Sequence, residues 1–175
     1  MNRTFLQKGL SLIESAMVLA LSALVVAGVM AYYQAASTQN KVERSIAQIM
    51  QIVTVVNKLY ISTTDYASLS NKIIYAEMPA QWKEDPAAYT LRTPFNGHIN
   101  VSWNMESQDT NTWMIRLKEV PNVVCQALAT KDFGSVHFMT TVNSQTVDLT
   151  NRVKDASRLC HRDDGKNWMT VYFRR

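Results

Sequence analysis

The chain has 175 residues, with 18 Lys plus Arg against 14 Asp plus Glu and a formal net charge of +4. That length supports one globular domain plus a long helix. A charge this nearly balanced, with no clustered basic stripe, argues against a nucleic-acid-binding domain. The adjacent basic pair Arg174-Arg175 reads as a solvated tail.

The chain opens with a basic segment carrying Arg3 and Lys8, followed by an apolar stretch beginning at Leu10. Residues 15 to 40 carry no formal charge and are dominated by Ala, Val, Leu and Met. Such a segment is long enough to cross a bilayer as one helix. Glu14 sits near its start. A carboxylate at that depth costs about 2.5–3.5 kcal/mol on insertion scales, so it calls for a partner and a task. Two plainer readings compete. One is a secretory signal, with Val29-Met30-Ala31 as a passable cleavage site; its apolar core is too long for a signal and carries an acid. The other is an ordinary single-pass anchor, which has no use for Glu14.

The stretch Lys8-Gly9-Leu10-Ser11-Leu12-Ile13-Glu14 resembles the processing site of type IV pilins. The resemblance implies that residues 1–9 are a leader, removed between Gly9 and Leu10 by a membrane-embedded prepilin peptidase. The new amine of Leu10 is then methylated. In that family the fifth residue after the cut is a glutamate, the place Glu14 occupies here. Leu10, where many members have phenylalanine, resembles the type IVb branch. Within that branch, Gly9 to Tyr33 is similar to the subunits of bundle-forming pili, and the similarity continues weakly at Leu59-Tyr60-Ile61 and Pro94-Phe95-Asn96-Gly97. The implied organisation is a leader at 1–9, a transmembrane and filament-core half-helix at 10–33, and a periplasmic or extracellular globular domain at 34–175. With Arg3 and Lys8 held on the cytoplasmic side, the rest of the chain faces an oxidising periplasm. Cys125 and Cys160 are therefore expected to form a disulfide.

From Ser11 to about Ser62 there is no proline, and Gly28 is the only interior glycine. This reads as one helix of about 50 residues, about 75 Å long. Its first half is apolar all round and is expected to protrude. Its second half carries a heptad-like stripe of Val42, Ile46, Ile49, Val53, Val56 and Tyr60, with Lys41, Glu43, Arg44, Gln48, Gln51 and Lys58 mostly off it. A coiled-coil dimer is the structural alternative for that stripe. It spans only about three heptads, and a folded domain follows that can cover it.

Beyond Asp65, Leu69, Ile73 and Ile74 suggest a short helix, and Pro79, Pro86 and Pro94 leave the rest of 66–96 as loop without a clear strand. Alternation predicts strands at 97–103, 112–118, 136–140 and 168–173. Pro121 suits the first turn of a helix that buries Val124, Cys125 and Leu128. A last helix is predicted from Asp148 to Cys160, with Leu149, Val153, Ala156 and Leu159 at helical spacing, followed by a turn at Asp163-Asp164-Gly165-Lys166. The expected fold class is α+β: a long N-terminal helix, apolar half protruding and amphipathic half packed, against an antiparallel sheet of about four strands with two or three short helices.

No catalytic constellation stands out. His98, His137 and His161 are far apart and lack Cys, Asp or Glu at ligand spacing, so packed or solvated histidines are expected and no metal. Asp163-Asp164-Gly165 is too short for a calcium loop. Ser102, Ser135 and Ser144 lack a glycine-framed nucleophile turn, and there is no phosphate loop and no Cys-x-x-Cys. The chain therefore reads as a structural subunit, without a cofactor and not an enzyme. Its implied partners are further copies of itself in a helical filament, the prepilin peptidase, the inner membrane before assembly, the pilus assembly machinery, and host cells or neighbouring pili. No nucleic acid is expected. Its implied place is the inner membrane of a Gram-negative bacterium as a single-pass protein, then an extracellular pilus serving adhesion, aggregation and, if a retraction motor exists, twitching. A minor pilin or type II secretion pseudopilin is the alternative within the family. A bitopic periplasmic binding or sensor protein is the alternative outside it.

Overall fold

The computed structural model describes residues 12–63, 65–148 and 150–174. Gly9, Leu10 and Leu149 lie outside the described residues. The chain divides into two compact units, Met1–Gln39 and Asn40–Arg175. One helix, α1 (Leu12–Leu59), runs through both.

In the first unit, the side chains of α1 from 12 to 36 are exposed. No proline interrupts the helix here, and none of the described residues of the unit covers it.

The second unit is a two-layer α+β domain. Its short helices are α2 (Asn71–Tyr75), α3 (Asn122–Ala129) and α4 (Arg152–Leu159). Its strands are β1 (Lys83–Asp85), β2 (Thr90–Arg92), β3 (His98–Asn104), β4 (Asp109–Val120), β5 (His137–Val142), β6 (Gln145–Thr146) and β7 (Asn167–Arg174). They form a single seven-stranded sheet in the order β1-β2-β3-β4-β7-β5-β6, antiparallel at each pairing. The sheet is thus larger than the four strands expected. β1 and β2 occupy the proline-containing stretch read as loop. They are three residues each and exist through pairing with β3 rather than through their own alternation.

The core lies on one face of the sheet. Ile99, Val101, Ile115, Leu117, Met169, Val171 and Phe173 form that face, and Ile49, Ile52, Val53 and Val56 of α1 belong to the same buried cluster. The buried strip of α1 is wider than the heptad stripe. It adds Ser45, Gln48 and Ile52, while Ile46 is only partly buried. Gln48, expected off the stripe, is 1% exposed, and its Nε2 donates to the Arg92 carbonyl at 2.9 Å.

α3 buries Val124, Cys125 and Leu128 as expected, with Pro121 just ahead of its first turn. α4 starts at Arg152, later than Asp148. The Asp148 carboxylate accepts from the Thr150 amide at 2.8 Å, and its carbonyl from the Asn151 amide at 3.2 Å. This turn holds the backbone in a non-helical path. Val153 consequently points outward, 75% exposed, while Ala156 and Leu159 are buried. Cys125 and Cys160 are disulfide-bonded, tying α3 to the end of α4.

Candidate functional site

The apolar part of α1 is the most distinctive surface in the described residues. Leu12, Ile13, Met17, Val18, Leu21, Leu24, Val25 and Val29 are all more than half exposed. The helix is long and apolar enough to cross a membrane, and none of its most apolar window is buried. Its hydroxyls are turned inward on the backbone: Ser15 Oγ donates to Leu12 O at 2.9 Å and Ser22 Oγ to Val18 O at 2.8 Å. Such bonds satisfy hydroxyl donors inside a medium that offers none. Glu14 lies in the first turn of α1, where the amide ends of the helix favour a carboxylate. What this surface can do chemically is bury itself: in lipid, or against other helices.

The histidines are less isolated than their spacing suggests. Glu84 lies 3.2 Å from His98 and also pairs with Arg92. The Arg92 guanidinium, and then His98, hold the Glu84 carboxyl below its ordinary range. Asp132 lies 3.4 Å from His137. The His137 side chain is 2% exposed, and burial pushes its pKa down. His161 is exposed. Among the described residues no group of three or more His, Cys, Asp or Glu could hold a metal ion. The sequence could not reveal the carboxylate neighbours, because Glu84 reaches His98 through strand pairing and Asp132 reaches His137 through a loop.

On the sheet face away from the core, Glu106, Arg116, Lys118, Thr141, Trp168 and Tyr172 border a half-open concavity of about 400 Å³. Tyr172 donates to Glu106 at 3.0 Å, and Arg116 pairs with the same carboxylate while its Nε donates to Thr170 Oγ1 at 3.2 Å. Burial, and next the Glu106 acceptor, raises the Tyr172 phenol, which therefore stays a protonated donor. The group straps the β3–β4 turn to the sheet and contains no activated nucleophile. Ser102 is one position beyond Val101 in β3, Ser135 lies in the loop before β5 and Ser144 in the turn after it. The three serines thus lie on different elements, and among the described residues no hydrogen bond joins any of them to His98, His137 or His161.

A family model described as Bundlin matches residues 34–171 of the chain. The chain is also similar to the major structural subunit of bundle-forming pilus of Escherichia coli O127:H6 (strain E2348/69 / EPEC), 39% identical over 140 residues that make up 77% of this chain and 69% of that protein. The protein of the same description from Escherichia coli O111:H- aligns with the same identity and coverage.

Proposed function

We propose, from the premise that this chain belongs to the bundlin family, that it is the structural subunit of a type IVb pilus and polymerises into a surface filament. The observation that carries the reading is one helix in which side chains 12 to 36 are exposed and apolar, with Glu14 in the first turn. In this reading residues 1–9 are the leader, 10–33 the membrane and filament-core segment, and 34–175 the globular domain facing the periplasm and then the outside. The prepilin peptidase cuts between Gly9 and Leu10, and the Leu10 amine is methylated. The subunit waits in the inner membrane until the pilus machinery extracts it.

The Leu10 amine of one copy and the Glu14 carboxylate of the next neutralise one another in a low-dielectric core, so neither charge is buried alone. Because the two groups are at different positions along the chain, the contact offsets one copy from the next, is head-to-tail and propagates as an open helix of subunits. The globular domains then coat the filament and meet host cells or neighbouring pili. The role is one of assembly and adhesion rather than catalysis.

The test is Glu14→Ala. Insertion and cleavage should persist, since alanine makes the segment more apolar. Filaments counted by electron microscopy should be lost or sharply reduced, because each incoming amine is buried without a counter-charge, at a cost of about 3–5 kcal/mol per contact. Glu14→Gln should fail as well. Abundant normal filaments from Glu14→Ala, beside an immunoblot of normal subunit levels, would sink the pairing mechanism.

A further inference from the structure

The loop between α3 and β5 is held by a buried histidine that faces two incompatible partners. His137 lies on the core face of β5, opposite Phe173 of β7. Its ring meets Phe133 edge-on at 5.5 Å and Phe173 at 6.0 Å. The Phe133 amide lies 3.4 Å from Nδ1, and Thr140 Oγ1 lies 2.9 Å from Nε2. A backbone N–H can only donate, so Nδ1 carries the lone pair and Nε2–H donates to Thr140. Asp132 Oδ1 is also 3.4 Å from Nδ1. It accepts from the Gly134 amide at 3.1 Å, while Asp132 Oδ2 lies 3.8 Å from Arg152 of α4. The neutral ring thus accepts from Phe133; a protonated ring cannot, and must donate to Asp132 instead.

We propose that the segment Lys131–Val136 is an acid-sensitive clasp: proton uptake at His137 transfers Nδ1 from the Phe133 amide to the Asp132 carboxylate and releases Phe133 from its seat against the His137 ring of β5. The clasp opens as a local event, because the pairing of β7 with β4 uses neither His137 nor the loop.

The charged groups that act on the ring are Asp132 on the loop, which favours the proton, and Arg152 on α4, which opposes it; Thr140 of β5 and Phe173 of β7 are neutral. Burial outweighs the carboxylate, so the closed form binds a proton less readily than the open form, whose ordinary histidine value is 6.5. The sign follows: the clasp is fully closed above that value and weakens as pH falls below it. An opening coupled to one proton changes about tenfold per pH unit inside the window between the open and closed values. Asp132, itself held low first by the Gly134 amide and then by His137, pulls in the same direction at still lower pH.

The experiment is hydrogen exchange with mass spectrometry on the full chain in detergent micelles, from pH 7.5 to 4.5, with exchange times scaled for the intrinsic pH dependence. Peptides covering 131–137 should lose protection by about tenfold per pH unit over part of the range below about 6.5, while those from β4 and β7 keep theirs. H137F and H137Q, which carry no titrating ring, should abolish the step. R152M should raise the pH at which the loss levels off and so make it smaller, and D132N should lower that pH and so make it larger, both with the onset unchanged, in proteins that fold normally at pH 7.5. A step that persists in H137F, a loss of the same size in R152M and D132N as in the wild type, or uniform loss of protection across the sheet would each overturn the proposal.

Discussion

Gln48 of α1 and the Arg92 carbonyl of β2 are joined by a side-chain hydrogen bond of 2.9 Å, and Gln48 is 1% exposed. The bond fixes α1 against an edge region whose strands are only three residues long. Gln48→Leu keeps the volume but removes the donor to that carbonyl, at a cost of about 1–3 kcal/mol. Gln48→Glu sets a carboxylate against a carbonyl and should cost more at neutral pH than at acid pH, where the protonated acid can donate. Thermal unfolding of the two variants at pH 7 and pH 4 checks both the magnitude and the reversal.

The Cys125–Cys160 bond closes a span with a sequence separation of 35. In the chain-entropy treatment a loop of that size stabilises by about 3.5–4 kcal/mol. The double variant Cys125→Ala, Cys160→Ala should lower the denaturant midpoint accordingly. It should free α3 and α4 first, because the bond is the covalent tie between them. Thiol labelling of native unreduced protein should modify neither cysteine.

Gly97 and Gly28 should respond oppositely to alanine. A Cβ on Gly97 would lie 2.0 Å from the Lys118 carbonyl oxygen, a backbone atom fixed in the β3–β4 pairing. Gly97→Ala must therefore push apart β3 and β4, and a loss above about 3 kcal/mol is expected, in the range of severe core disruptions. A Cβ on Gly28 meets nothing within 4 Å. Gly28→Ala should leave the globular domain's unfolding unchanged and favour the helix by about 1 kcal/mol. Circular dichroism melts of the two variants in detergent separate these outcomes.

Processing at the leader is tested at Gly9. The peptidase reading requires a small residue at the cut, so Gly9→Val should leave an uncleaved precursor in the inner membrane. Mass analysis of the wild-type protein should find an N-terminus at a methylated Leu10. An N-terminus near Tyr32 would instead support a conventional signal peptide.

Much of this was legible in the chain because the signals are local. The uncharged run 15–40 lies within one continuous helix, α1. Alternation of apolar and polar residues marked β3, β4, β5 and β7, since each has one face on the core. What was not legible is set by contacts distant in sequence. β1, β2 and β6 are too short to carry a period. The heptad stripe undercounted the buried face of α1, because a sheet covers a broader arc of a helix than a partner helix does. Asn167 is the clearest case. A polar residue at the start of a strand is 0% exposed, yet it donates to Val120 O at 3.1 Å and Asn122 Oδ1 at 2.7 Å and accepts from Asn143 at 2.9 Å. Three asparagines separated by up to 45 positions satisfy one another there, and no pattern in the sequence announces it.

The order of the strands has a consequence for how the domain matures. β7 is the last of the seven to be synthesised, yet it sits between β4 and β5 and pairs with both. Before β7 is in place, β4 and β5 lack the neighbour that joins them, and each has an open edge where β7 belongs. Such edges invite pairing with other chains, and the long-range closure that removes them is slow. The sheet is thus completed only when its last strand is delivered. Cys160 lies just ahead of β7 in the chain, so the Cys125–Cys160 bond can close only in that same last interval.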